Sequence, residues 1–163
     1  MFEFRFDSAT KTRLLVKLQG MSPRFVEVVA TKLRALMFQL QSKIVSEKLS
    51  GQVLHRRTGV LAGSVRTLPV TVAGNQISSG VASSSGPAFY GKIHEVGGSR
   101  PYQIFATKAR ALQFMQGPRT VYAQNIIHPP AKMRAFMRPS LIESAQEIRN
   151  ELQAAIDEEL KKK

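Results

Sequence analysis

Two apolar stripes of helical period, one toward each end of the chain, constrain this 163-residue sequence more than any other feature. In the first, Phe25, Val29, Leu33, Leu36, Leu40 and Ile44 step by four, four, three, four and four. That spacing places them on one face of a helix of about seven turns over residues 23–49. Ser22-Pro23 supplies an N-cap followed by proline at the first helical position, and Ser50-Gly51 supplies the stop. In the second, Leu141, Ala145, Ile148, Leu152, Ile156 and Leu160 repeat the pattern over 139–160, opened by Pro139 and closed by the lysines at 161–163. A helix with one apolar face needs a surface to cover, and the segment between the two stripes reads as that surface.

The middle is β-like. Residues 66–73 and 76–83 are rich in β-branched side chains, and Gly74-Asn75 between them predicts a hairpin. Residues 88–96, 102–106, 111–115 and 120–127 are further strand candidates, the last broken by His128-Pro129-Pro130. Residues 58–66 read as a tight loop or helical turn leading into a strand, and 83–87 as a flexible serine-glycine loop. At the N-terminus Phe2, Phe4 and Phe6 alternate with polar residues, which predicts a short strand. Leu14, Leu15 and Leu18 suggest a short helix over 8–19, stopped by Gly20. The expectation is one α+β domain over 1–163. Its segments are a strand and short helix (1–20), a long helix (23–49), a β meander (58–128) and a C-terminal helix (139–160). An antiparallel sheet of about four to six strands would be covered by the two helices.

Charge is uneven. Lys plus Arg is 24 against 11 Asp plus Glu, a net +13. Residues 51–138 hold 11 of the bases and a single acid, Glu95, whereas 139–163 hold 4 bases and 6 acids. A cationic body of this kind points to an anionic partner, either nucleic acid or an acidic protein face. The absence of cysteine excludes disulfides, thiolate nucleophiles and thiolate zinc sites. No apolar run reaches the ~20 residues of a membrane span, and MFEFRFDSATK holds no signal-peptide core, so a soluble cytosolic protein without membrane contact is expected.

Enzyme chemistry finds little support. His94 and Glu95 are the nearest approach to an acid-base pair, but on a strand they face opposite ways. His128 marks a loop end and His55 belongs to a basic cluster with Arg56 and Arg57. No metal-ligand spacing, P-loop or nucleophile elbow is present, and no cofactor is expected. A small ribonuclease with His94 or His128 as base and Arg56 or Arg57 on phosphate is the minor enzymatic reading. Tyr90, Tyr102 and Tyr122 are available to stack bases, while Phe89, Phe105 and Phe114 read as core.

Five segments in order carry a family resemblance: the long helix, TGVLAGSV (Thr58, Gly59, Leu61, Ser64), YGKIHEVGG (Tyr90, Gly91, His94, Glu95, Gly97), KARALQF, and HPPAKMRAFMRPSL (His128, Pro129, Phe136, Arg138, Pro139). Together they resemble the siphophage tail-component family typified by gene product ten of coliphage HK-ninety-seven, the tail-completion or head–tail-joining proteins. The chain departs from the family pattern at Pro130, where glycine is common, and at Ala135, where proline is. The resemblance implies a structural virion protein, made in the host bacterial cytoplasm and placed at the neck or upper tail. It implies a homo-oligomeric ring, taken as a hexamer, around the DNA path. Its neighbours would be the head–tail connector and the tail-terminator or tail-tube proteins. Arg56, Arg57, Arg66, Lys92, Arg100, Lys108, Arg110 and Arg119 are then candidates to face packaged double-stranded DNA without base readout, or to meet acidic surfaces of a neighbouring ring. In the second case Glu143, Glu147, Glu151, Asp157, Glu158 and Glu159 of the C-terminal helix would supply the acidic face. A non-specific nucleic-acid-binding protein outside any virion is the alternative. The motif residues themselves read mainly as fold-determining, with Phe136 and Met137 stapling the last helix to the sheet and the 83–87 and 97–101 segments ordering on docking.

Overall fold

The computed structural model describes residues 2–8, 11–17, 22–55, 57–83, 89–98 and 100–162. The fold is α+β. A four-stranded antiparallel sheet has the order β1-β2-β4-β3, with β1 at Phe2–Ser8, β2 at Lys11–Lys17, β3 at Val65–Ala73 and β4 at Gln76–Ser83. Where a short helix is expected over 8–19, the described residues are strand: Ser8 ends β1 and Lys11–Lys17 form β2. Alternation explains why: Thr12, Leu14 and Val16 are buried and stand opposite Val81, Ser79 and Ile77, so period two wins over the leucine cluster. Residues 18–21, with the expected stop at Gly20, lie outside the described residues. The β3–β4 hairpin is found where Gly74-Asn75 placed it, with Gly74 at φ +53 in the first central position.

Helix α1 (Pro23–Lys43) starts at Ser22, whose Oγ accepts from the Phe25 N–H at 3.3 Å. It continues as a π-helical stretch over Ile44–Gln52 that kinks at Ser50 and Gly51, where φ reaches 133°. The expected stripe faces inward: Val29, Leu33, Leu36, Leu40 and Ile44 are buried. Helix α4 (Met137–Lys161) begins two residues before Pro139 and buries Leu141, Ile148, Leu152 and Ile156, while Leu160 is exposed near its end. α1 packs against β3 and β4, α4 against β1 and β2, and the two helices pack on each other. Ion pairs set their antiparallel register: Arg24 with Glu159, Lys32 with Glu151, and Lys48 with Glu143. Exposed pairs of this kind contribute about 0.2–1 kcal/mol each, so the seam is held chiefly by packing.

The remaining elements correct the expected meander. The strand expected over 88–96 is not found: position 88 lies outside the described residues, helix α3 occupies Tyr90–Val96, and a short α2 occupies Val60–Ser64. The expected strand over 120–127 is divided into β7 (Arg119–Ala123) and β8 (Asn125–His128). β8 pairs with β5 (Tyr102–Phe105), and β7 pairs with β6 (Leu112–Gln116) around Gly117-Pro118, in two ribbons separate from the main sheet. Phe89 and Phe105 are exposed and Phe114 is half-buried, so none of them joins the core expected of them. Of the serine-glycine loop, Ser83 belongs to β4 and 84–87 lie outside the described residues.

Backbone proximity decides two glycines. Gly80 in β4 runs so close to β2 that an added Cβ would overlap the Thr12 carbonyl oxygen and lie 2.9 Å from its carbon. Gly98 donates its N–H to the Ala131 carbonyl at 2.8 Å, and a Cβ there would meet the Ala131 nitrogen at 2.7 Å. The 97–98 turn is thus packed against the strap that leads into α4.

Candidate functional site

Three of the motif segments, far apart in sequence, meet at the N-terminus of α4. The first four backbone N–H groups of a helix have no partner within it. Here the four positions are Phe136, Met137, Arg138 and Pro139. The Glu95 carboxylate accepts three of them: Phe136 N and Met137 N reach Oε2 at 2.9 and 3.0 Å, and Arg138 N reaches Oε1 at 2.9 Å. The fourth residue is Pro139, which has no N–H to satisfy. Glu95 is 6% exposed, so the carboxylate and the positive end of the helix dipole meet away from water. Glu95 in YGKIHEVGG and Arg138-Pro139 in FMRPS are two halves of one cap.

The rest of the knot is packing. Gly91, one turn before Glu95, sits under Leu61 and Phe136, and a Cβ there would lie 2.7 Å from Leu61 Cδ1. Phe136 is fully buried, and Met137 nearly so. The Ser64 hydroxyl donates to the Leu61 carbonyl at 2.7 Å and lies 2.8 Å from the Ser83 hydroxyl. Gly59 enters α2 at φ +77, a left-handed backbone that favours glycine, and Thr58 Oγ1 accepts from the Val60 N–H at 3.5 Å. Gly97 ends α3 at φ +78. A strap over 131–134 then runs along α3, with Arg134 N donating to the His94 carbonyl at 2.7 Å.

His94 and Glu95 diverge as expected, but for a helical reason. Successive residues on α3 point about 100° apart. Glu95 turns inward to α4, while His94 turns toward Tyr90, four residues earlier, with ring centroids 6.0 Å apart. His94 lines a cleft of about 330 Å³ with His55, Arg57, Thr58 and Tyr90, floored by Leu49, Leu61 and Ala62. Two histidines separated by 39 positions in sequence thus share one cleft. Burial, reinforced by the Arg134 guanidinium, holds the His94 imidazole below its ordinary value. The cleft offers two imidazoles, a guanidinium and hydroxyls. The neighbouring carboxylate, Glu95, is committed to the helix cap. Among the described residues no group of three His, Asp or Glu is placed to hold a metal ion, and no helix is long and apolar enough to cross a membrane.

His128 ends β8, stacked on Tyr102 with ring centroids 5.0 Å apart, and does not line the cleft. Arg57, Arg66, Lys92, Arg100, Lys108, Arg110 and Arg119 are all exposed, while Arg56 lies outside the described residues. They are not gathered in one motif: Arg57 is at the cleft, Arg66 on β3, Lys92 on α3, Arg100 before β5, Lys108 and Arg110 in the connection from β5 to β6, and Arg119 at the start of β7. The acids of α4 are largely engaged within the chain. Glu143, Glu151 and Glu159 pair with α1 and its π-helical continuation, and Glu158 with Lys162.

Sequence reasoning missed the role of Glu95. The available signal was its isolation: a lone acid in the 51–138 segment has to find donors if it is buried. It also missed that the ribbons form an arm, which the Gly117-Pro118 dipeptide announces as a turn. No family model, curated protein or solved structure matches the chain.

Proposed function

We propose that this protein is a structural virion component of a long-tailed bacteriophage, a tail-completion or head–tail-joining protein that assembles as a ring around the DNA path. One observation carries the reading. The segments that resemble the family, TGVLAGSV, YGKIHEVGG and AFMRPSL, converge on a single buried cap made by Leu61, Gly91, Glu95 and Phe136. Motifs that meet in one interlocking unit act as a fold signature rather than as independent short matches. The proposed role is architectural, without catalysis or cofactor. Its partners are further copies of itself, the adjoining connector and tail proteins, and packaged DNA. The exposed body cations Arg57, Arg66, Lys92 and Arg100 are assigned to the DNA path, where weak and salt-sensitive phosphate contacts let the duplex slide.

The test is electron microscopy of a lysate from the parent phage carrying a nonsense mutation in this gene. Full heads beside unjoined or overlong tails are expected. Normal, infectious particles would overturn the reading. They would favour a non-specific nucleic-acid-binding protein, to which the acid-free stretch between Glu95 and Glu143 also points. Steeply salt-dependent DNA binding by the isolated monomer would then be its signature.

A further inference from the structure

The paired ribbons form one two-stranded arm over 102–128. β5 and β8 make its base, the Ala106 N–H donates to the Gln124 carbonyl at 3.0 Å, and β6 and β7 make its tip. Each arm strand packs on its partner strand, and none packs more than marginally on a helix or on the main sheet. A lone two-stranded ribbon is marginal in water and gains stability by laying an apolar face on another element. This arm has such faces. By register Leu112, Phe114, Val121 and Ala123 share one side of the tip. On the other side Met115 and Tyr122 are 65% and 66% exposed. Lys108, Arg110 and Arg119 are exposed, and among the described residues they form no ion pair. The surface that fits is therefore apolar and anionic. Duplex DNA supplies the charge but not the apolar floor.

The chain itself carries that surface. The solvent-facing seam between α1 and α4 holds a groove of about 620 Å³ floored by Val28, Ala35, Ala154 and Ala155. It continues into a second groove of about 370 Å³ past Leu40 and Ile148. Small side chains keep the floor low enough to admit an apolar ribbon. Arg24, Lys32 and Lys43 line these grooves too, but each pairs with an acid of α4, whereas Glu27 in the first groove and Glu47 and Glu147 in the second form no ion pair among the described residues. The arm thus carries three cations, and the seam three carboxylates, that form no ion pair among the described residues.

We infer that the arm of one copy lies in the α1–α4 seam of the next, with its apolar tip on the alanine floor and its cations against Glu27, Glu47 and Glu147. The contact is heterologous, head to tail, and closes into a ring when the rotation per copy permits. The ring reading above is thereby given its joint, and the closure of the chain of contacts rests on that reading.

Two experiments test the joint. The chain lacks cysteine, so single cysteines report cleanly. A Tyr122→Cys chain mixed with an Ala155→Cys chain under mild oxidation should give a disulfide-linked dimer, well above what either chain gives alone. In solution, Met115→Asp with Arg119→Glu disables the arm, and Glu27→Arg with Glu147→Arg disables the seam. Light scattering should find each variant at the mass of one chain. Their equimolar mixture should recover dimers and nothing larger, since the one intact arm then fills the one intact seam. Circular dichroism matching the unmodified chain confirms that both variants fold. Oligomers that survive both variants overturn the joint and leave the ring reading standing on another surface. Unchanged mass with weakened DNA retention assigns the arm to DNA and overturns the joint. A wild-type chain that stays monomeric and yields no disulfide overturns it as well. The nonsense-mutant phage then decides the ring reading separately.

Discussion

Replacing Glu95 tests the cap at the start of α4 directly. Its carboxylate takes three backbone N–H groups, two of them from the buried residues Phe136 and Met137. Hydrogen bonds to a charged acceptor contribute about 1.5–3 kcal/mol each, and a partly buried charge at a helix N-terminus adds about 1 kcal/mol. These terms are not additive, because the chain relaxes around the loss. Glu95→Gln keeps the shape and one acceptor oxygen but removes the charge and presents an N–H₂ to backbone donors, so the expected cost is about 2–3 kcal/mol. Glu95→Ala leaves the donors without a partner in a buried place, and the expected cost is about 4–5 kcal/mol, at the top of the range for single substitutions. For a chain of this size each kcal/mol lowers Tm by about 2–4 °C, so the midpoint should fall by about 8 °C for Gln and about 14 °C for Ala. Differential scanning calorimetry gives both numbers. Hydrogen exchange adds the location, with faster exchange expected at the first turn of α4. Lys92→Gln, exposed on the same short helix, is the control and should stay within about 0.5 kcal/mol of the unmodified chain. If Glu95→Gln and Glu95→Ala both stay within about 1 kcal/mol of it, with the α4 amides still protected, the accounting of the helix N–H groups is wrong.

Gly80→Ala should destabilise by about 3 kcal/mol or more, because the new methyl meets β2 backbone at Thr12, which cannot swing aside as a side chain would. Urea unfolding measures this, and a loss under about 1 kcal/mol would refute the close approach of β2 and β4. His94 should make stability fall on the acid side. Its folded value lies below its ordinary value, so the unfolded chain takes up the proton first. The contribution is complete above about pH 6.5 and is lost as pH falls toward the folded value. His94→Asn should therefore lose less Tm than the unmodified chain between pH 8 and pH 5, and parallel losses would remove His94 as the cause.

What the sequence determined by itself is whatever repeats within one element. The stripe from Phe25 to Ile44 and that from Leu141 to Ile156 name their buried faces because helical period alone decides them. The Gly74-Asn75 turn places the β3–β4 hairpin because a two-residue loop is a local event. The strand β2 is locally legible too, since Thr12, Leu14 and Val16 alternate. Tertiary structure decided what depends on partners distant in sequence. YGKIHEV is short and apolar enough to read either as strand or helix. It is helical here, with its one carboxylate turned to three N–H groups more than forty positions away. His55 and His94 share a cleft only because folding brings the segment around 55–62 beside α3, where Leu49, Leu61 and Tyr90 line the same space. The strands after residue 100 leave the main sheet and pair among themselves, since strand pairing is settled by which edge lies near and not by propensity. A buried charge shows the difference most plainly. The sequence marks Glu95 as the lone acid of a cationic segment, but its solvation cost is met only once the chain has brought a helix N-terminus to it.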